Sequence, residues 1–188
     1  MTTEQIIEMQ RRFGGVAPDG IWGTKSKTAL REYLHSLMPR PNPWPSTDEA
    51  SLWAFYGKPG DEAQLINIDV VDFGMKQNGH VVTRVRVHHK CAESLLEILR
   101  ELKTVRPDIL EKFNGVYNYR SVHSGNTWSL HARGAAIDLD YEDNGNFAPW
   151  PTNASMPLEV MEVFSRYGWL CSAAEWGRDA MHFQATSF

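Results

Sequence analysis

Two short segments carry the residue types needed to hold a metal ion and move a proton. The first is Ser129-Leu130-His131-Ala132-Arg133-Gly134-Ala135-Ala136-Ile137-Asp138, and the second is Asp179-Ala180-Met181-His182-Phe183. Together they supply two histidines and two carboxylates. Imidazole and carboxylate are the ligands a catalytic zinc uses when thiolate is absent, with a fourth position left to water. His131 and Asp138 are seven residues apart with Gly134 between them. If Ala135–Asp138 is a strand and Gly134 turns the chain into it, both side chains converge on one point. His182, from a distant strand, then completes a three-ligand site for one zinc ion. Asp179, three residues earlier, would stand near the bound water as general base. A histidine taken singly is more often a core or surface residue than a ligand, and spacing alone is a weak signal.

Further residues surround this constellation. Arg120, in Tyr117-Asn118-Tyr119-Arg120, is suited to clamp a carboxylate or polarise a scissile carbonyl. Asn146-Phe147-Ala148-Pro149-Trp150-Pro151 reads as an aromatic loop able to wall a groove, with Trp150 as its substrate-contacting ring. Ser129, Glu175 and Trp176 are further substrate-binding candidates, and Glu175 is a second carboxylate that competes with Asp179 for the role of base. His123 is held as a pocket residue. His35, His80, His88 and His89 take structural roles; the adjacent pair His88-His89 faces opposite sides of any strand and cannot easily share a metal. Cys91 and Cys171 form one disulfide or remain two free thiols, and their number excludes a four-cysteine zinc site.

The elements that must position these groups divide the chain in two. Ile6, Ile7, Met9 and Phe13 mark one face of a first helix that ends at Gly14-Gly15, and Pro18-Asp19-Gly20 makes a turn. A second helix runs roughly from Thr24 to Leu37. Four prolines between Pro39 and Pro45 read as a stiff extended linker, which places a boundary there. The expected organisation is a helical module at 1–38, a Pro-rich linker and lead-in at 39–59, and a main domain at 60–188. In the main domain the pattern predicts strands at Gln64–Phe73 and His80–His88, joined through Asn78-Gly79. It predicts a helix at Cys91–Thr104, strands at Asn114–Ser121 and Ala135–Leu139, a helix at Leu158–Tyr167 and a last strand at His182–Ala185. Strands and helices mix without regular alternation, so the fold class is α+β: a small antiparallel sheet with flanking helices, preceded by a small all-helical module.

Composition narrows the function classes. The 188 residues are 42% hydrophobic and 22% charged, which excludes a wholly disordered chain. Nineteen basic against 23 acidic residues give a net charge of −4, so nucleic acid is not an expected partner. No run approaches ~18 apolar residues, so membrane insertion is not expected. The first residues, MTTEQIIEMQRRFGG, lack the form of a secretory signal. The expectation is synthesis in the cytoplasm, with release by some other route.

At this level of detail the sequence resembles a known family. Ser129-x-His131-x-x-Gly134-x-Ala136-x-Asp138 followed by Asp179-x-x-His182-Phe183 is similar to the paired signature of zinc D-alanyl-D-alanine carboxypeptidases of the VanY type. It is equally similar to the related L-alanyl-D-glutamate endopeptidases of phage endolysins. "GVYNYRSV", "NFAPWP" and "VFSRYGW" extend the resemblance over about residues 60–188. It implies zinc held by His131, Asp138 and His182, Asp179 as base, Arg120 as the carbonyl-stabilising group, and Ser129 supporting the first ligand or the substrate. One departure is Ser172-Ala173-Ala174-Glu175-Trp176, where many relatives carry a Gly-Gly pair; it bears on the width of the cleft. The segment "MQRRFGGVAPDGIWGTKSKTAL" resembles a helical peptidoglycan-binding module, with Asp19, Ile21 and Trp22 as its wall-contacting residues. The two resemblances imply a monomeric peptidoglycan hydrolase, released in the host cell by a phage, that cuts a stem-peptide amide bond. An L-alanyl-D-glutamate endopeptidase is the first expectation. A D-Ala-D-Ala carboxypeptidase and a non-catalytic wall-binding protein are the alternatives.

Overall fold

A computed structural model describes residues 1–121 and 128–188. Helix α1 (Thr3–Phe13) opens with a capping box in which Thr2 and Gln5 satisfy each other's backbone N–H groups. It buries Ile6, Met9, Gln10 and Phe13 and stops at Gly14. Gln10 explains the turn that follows. Its amide nitrogen lies 3.2 Å from Asp19 Oδ1, 3.1 Å from the Ile21 carbonyl and 3.1 Å from Ser26 Oγ, and its oxygen accepts from Gly20 N at 2.8 Å. One buried amide therefore ties α1 through the turn to α2 (Thr24–Leu37).

The two N-terminal helices are packed onto the rest of the molecule. Arg12 pairs with Glu159 and Glu162, and Tyr33 donates to Glu162 at 2.8 Å. Trp22 stands edge-on to Trp150 with ring centroids 5.0 Å apart. Residues 39–45, expected as an extended linker, lie against the body. Asn42 Nδ2 donates to the Gly168 carbonyl at 3.0 Å and buried Trp44 donates to the Tyr167 carbonyl at 2.8 Å. A side chain at Gly168 would meet Asn42 at 2.9 Å, so this approach requires glycine. The proline run is stiff, as its composition dictates, but tryptophan and asparagine dock it where a solvated spacer would float free.

Helix α3 (Glu49–Tyr56), capped by Asp48, occupies a stretch in which the periodicity marked no element. Its eight residues are apolar almost all round, so no amphipathic stripe announces it. Strand β1 (Leu65–Asp69) is shorter than expected and pairs antiparallel with β4 (Arg84–His88). Between them β2 (Lys76–Gln77) and β3 (His80–Val81) form a separate hairpin across Asn78-Gly79, both at positive φ. The single strand expected over His80–His88 is thus two, broken at Val82-Thr83. Helix α4 (Ala92–Val105) buries Leu95, Ile98, Leu99 and Leu102 completely and is followed by the short α5 (Pro107–Leu110). Truncating any of these α4 side chains to alanine would cost about 2–5 kcal/mol.

The main sheet comprises β5 (Phe113–Gly115), β6 (Ala136–Leu139), β7 (Leu170–Cys171) and β8 (His182–Gln184), in the spatial order β5-β6-β8-β7, all neighbours antiparallel. Strand β5 ends well before the expected Ser121. Helices α6 (Tyr141–Asn144), α7 (Leu158–Arg166) and α8 (Ser172–Trp176) connect and cover it. The architecture is α+β with small antiparallel sheets. Cys91 and Cys171 are both buried and unpaired. Among the described residues no helix is long and apolar enough to cross a membrane.

Candidate metal centre and cleft

Asp138 and His182 are directly opposed across β6 and β8, so their side chains leave the same face of the sheet. His131 reaches them from a turn of 3-10 helix, Leu130–Arg133, which Ser129 caps by accepting from His131 N. Gly134 then turns the chain into β6 at φ 66°, ψ 26°. A Cβ there would stand 2.8 Å from His88 N, so glycine serves both the left-handed turn and the close pass against β4.

The three donor atoms form a small triangle. Asp138 Oδ1 is 3.1 Å from His131 Nε2 and 3.0 Å from His182 Nδ1, and the two nitrogens are 3.1 Å apart. Each imidazole has its other nitrogen occupied. His131 Nδ1 donates to the Val116 carbonyl at 2.6 Å. His182 Nε2 donates to Gln184 Oε1 at 3.1 Å, and Gln184 is oriented in turn by donating to Thr186 at 2.7 Å. These outer bonds turn lone pairs of both inner nitrogens toward the carboxylate oxygen. Three mutually facing acceptors at such separations call for a shared cation. Burial acts to raise the Asp138 carboxyl, but hydrogen bonds and charge from both histidines hold it well below the usual range. Burial acts to lower His182, but Asp138 keeps it above the ordinary imidazole value. Two nitrogens and one oxygen converging in this way fit a zinc ion.

Asp179 sits in the turn before β8 at φ 56°. Its Oδ1 is buried without a hydrogen-bond partner among the described residues, and burial pushes its carboxyl above the usual range. A carboxylate at the edge of the cleft with one oxygen left unpartnered is placed to accept a proton. It lines a cleft of about 720 Å³ with Ser129, Trp128, Trp176, Phe147 and His182; Arg120 and Arg178 border the same space. His131, Asp138, His182, Asp179 and Arg120 are therefore brought together at one place.

The substrate-contact candidates divide. Ser129 and Trp176 line the cleft, and Trp176 stacks beside His182 with centroids 6.1 Å apart. Glu175 also lines it, with its Oε1 engaged by His35 of α2 at 2.8 Å, which makes Asp179 the better-placed base. Trp150 is not a cleft residue. It is 1% exposed, donates to the Met156 carbonyl at 2.9 Å and packs against Trp22. The aromatic loop does wall the cleft, but through Phe147, which is 81% exposed.

The wall-contacting candidates divide as well. Asp19 accepts from Gln10 and from Ile21 N, and Trp22 is wedged between Phe13 and Trp150. Ile21 is freely exposed, at 68%, and Asp19 is also at the surface with its Oδ1 tied into the turn. His123 lies outside the described residues. Gln184 and the Val116 carbonyl escaped the sequence reading. For Gln184 the signal was there: two residues beyond a strand histidine, it must share that histidine's face.

Residues 123–185, about a third of the chain, match a family model described as D-alanyl-D-alanine carboxypeptidase. The matched span holds His131, Asp138, Asp179 and His182; Arg120 and the N-terminal helices lie outside it. No curated protein and no solved structure was found to match the chain. Over that segment the chain is similar to a peptidase family.

Proposed function

We propose that this protein is a zinc-dependent peptidoglycan peptidase, with His131, Asp138 and His182 as the metal ligands. The observation that carries this reading is the three-donor triangle beside an unpartnered, buried carboxylate oxygen of Asp179. A zinc ion bound there supplies an acidified water and a Lewis acid for the scissile carbonyl. Asp179 takes the proton from the attacking water at its carboxylate oxygen and passes it to the leaving amine nitrogen. Arg120 borders the cleft and faces the charge that develops on the carbonyl oxygen. Ser129 holds the turn that presents His131, and Trp176 and Phe147 flank the bound peptide.

The bond we favour is that between L-alanine and D-glutamate, as in an endolysin that must cut crosslinked strands internally. A cleft of about 720 Å³ with exposed aromatic walls has room for such a chain. The family description favours the second reading, removal of a terminal D-alanine. In the first reading the protein is a phage lysis enzyme, made in the host cytoplasm and acting as a monomer on the wall. Its N-terminal helices contact the wall through the exposed surface around Ile21. The experiment is digestion of purified cell walls by the protein as isolated, after chelation and after zinc is restored, with mass spectrometry of the muropeptides. Chelator-sensitive, zinc-rescued release of a free N-terminal D-glutamate is the expected result. Loss of terminal alanine selects the carboxypeptidase, and no product in any state overturns the peptidase.

A further inference from the structure

A second groove, of about 390 Å³, reaches the same centre. Where the aromatic cleft meets His182 and Asp179, this groove meets His131 and Asp138, and Arg120 borders both. Its character is different. Arg84 and Arg86 line it together with Arg120, and among its lining residues Asp138 is the one carboxylate, already engaged by two imidazoles. Arg84 and Arg86 are two apart on β4, so they share one face while Val85 and Val87 enter the core. Arg86 lies over the Tyr117 ring at 5.2 Å and reaches exposed Glu62 at 3.1 Å. Such a rim pair contributes little and leaves most of the guanidinium donors open. Arg84 has no ion-pair partner among the described residues. A protein of net charge −4 thus concentrates three guanidinium groups beside its metal site.

We propose that this groove is an anion subsite in which Arg84 and Arg86 hold a carboxylate of the peptide substrate next to the scissile amide. The proposal rests on the peptidase reading of the centre. Both bonds considered above carry the required group on the residue whose amine leaves. It is the α-carboxylate of D-glutamate in one and the terminal carboxylate of D-alanine in the other. The planar fork of a guanidinium matches a carboxylate in both geometry and charge. The subsite makes Arg84 and Arg86 specificity residues, leaving Arg120 for the reacting carbonyl. It also makes amidation of that carboxylate a modification that weakens binding.

The test compares acids with their amides. Acetyl-L-alanyl-D-glutamate blocked at its γ-carboxyl is set against its α-carboxamide, and acetyl-D-alanyl-D-alanine against its terminal amide. Binding is measured by titration calorimetry on zinc-loaded protein in the Asp179→Asn background, where turnover is suppressed. KM and kcat are measured with Asp179 intact. One of the two acids is expected to bind about tenfold or more tighter than its amide. The double variant Arg84→Gln/Arg86→Gln removes that preference, chiefly through KM, and Arg84→Lys/Arg86→Lys retains part of it. Both positions are on the surface side of β4, and unchanged thermal melting verifies that the variants are folded. The acid that shows the preference identifies the source of the carboxylate. Equal binding of acid and amide in both pairs, or a preference that survives the glutamine double variant, overturns the subsite. Cleavage without an acid preference would sink the subsite and keep the peptidase. An arginine-dependent acid preference without cleavage would do the reverse.

Discussion

His182 Nδ1 faces Asp138 Oδ1 at 3.0 Å across two antiparallel strands, while the opposite nitrogen of the same ring donates to Gln184 at 3.1 Å. The strand register places the two donor groups, and the glutamine chooses which nitrogen of the ring points inward. Metal affinity should therefore depend on residues that never touch the metal.

Gln184→Leu removes the acceptor for His182 Nε2 and frees the ring to rotate or change tautomer. Zinc affinity should fall about 10–100-fold, the usual effect of losing such an outer partner. A competition titration against a chromophoric chelator reads this directly. An unchanged affinity would mean that packing alone orients the ring. Asp138→Ala should remove stoichiometric zinc altogether, since it deletes both a ligand and the charge that draws the two histidines together.

Asp179→Asn keeps the shape of the side chain and abolishes its capacity to accept a proton. Turnover of cell-wall substrate should fall about 10²–10⁴-fold. Zinc content, measured by atomic absorption, should stay at one ion per chain. A variant with full zinc and full activity would transfer the role of base elsewhere. Glu175 is a poor heir, because His35 already engages its carboxylate.

The N-terminal helices should contribute to stability as well as to any wall contact. Trp150→Ala opens a cavity beneath Trp22 and should cost about 3–5 kcal/mol, lowering the melting temperature by roughly 10 °C. Removing residues 1–38 exposes the same surface and should do at least as much. A truncated protein that melts at the full-length temperature would show that the Trp22–Trp150 contact stabilises nothing.

His88 sets a pH dependence of stability. Burial pushes its imidazole down to about 4; Nε2 donates to the Tyr56 carbonyl and Nδ1 accepts from Lys90 N, so both nitrogens are committed in the neutral form. The unfolded chain takes up this proton near pH ~6.5, before the folded protein can. Between those values the unfolded state binds more protons, so stability is lost as pH falls from about 6.5 toward 4, by at most ~1.4 kcal/mol per pH unit. Urea unfolding of the parent and of His88→Gln over this range tests it. The two proteins share every other titrating group, so their difference isolates His88. A difference that stays constant with pH would contradict the assignment.

The proposed ligand set could be picked out of the sequence because its spacing is local. His131 and Asp138 are separated by one turn at a glycine, and Asp179 precedes His182 within a single turn. Short spacings leave few geometries open to those pairs. The helices with clear apolar stripes were legible for the same reason: Thr24–Leu37 forms over the expected residues, because a 3.6-residue period carries its own register.

What escaped depends on partners far away in the chain. An aromatic loop has the same composition whether its tryptophan faces a groove or a core. Trp22, 128 residues earlier, decided that Trp150 goes inward and left Phe147 to the cleft. Glu175 reads as a free carboxylate until α2 brings His35 to it across 140 residues. Asp19 and Gln10 carry the pattern of a wall-binding module, yet the same atoms close the α1–α2 turn. Two-residue strands such as β7 have no period to detect and exist only because β8 offers a hydrogen-bonding edge. The sequence by itself determined the donor atoms and the acid–base chemistry open to them. The tertiary structure decided which of these atoms are free, because burial and pairing are properties of neighbours that the chain order does not list.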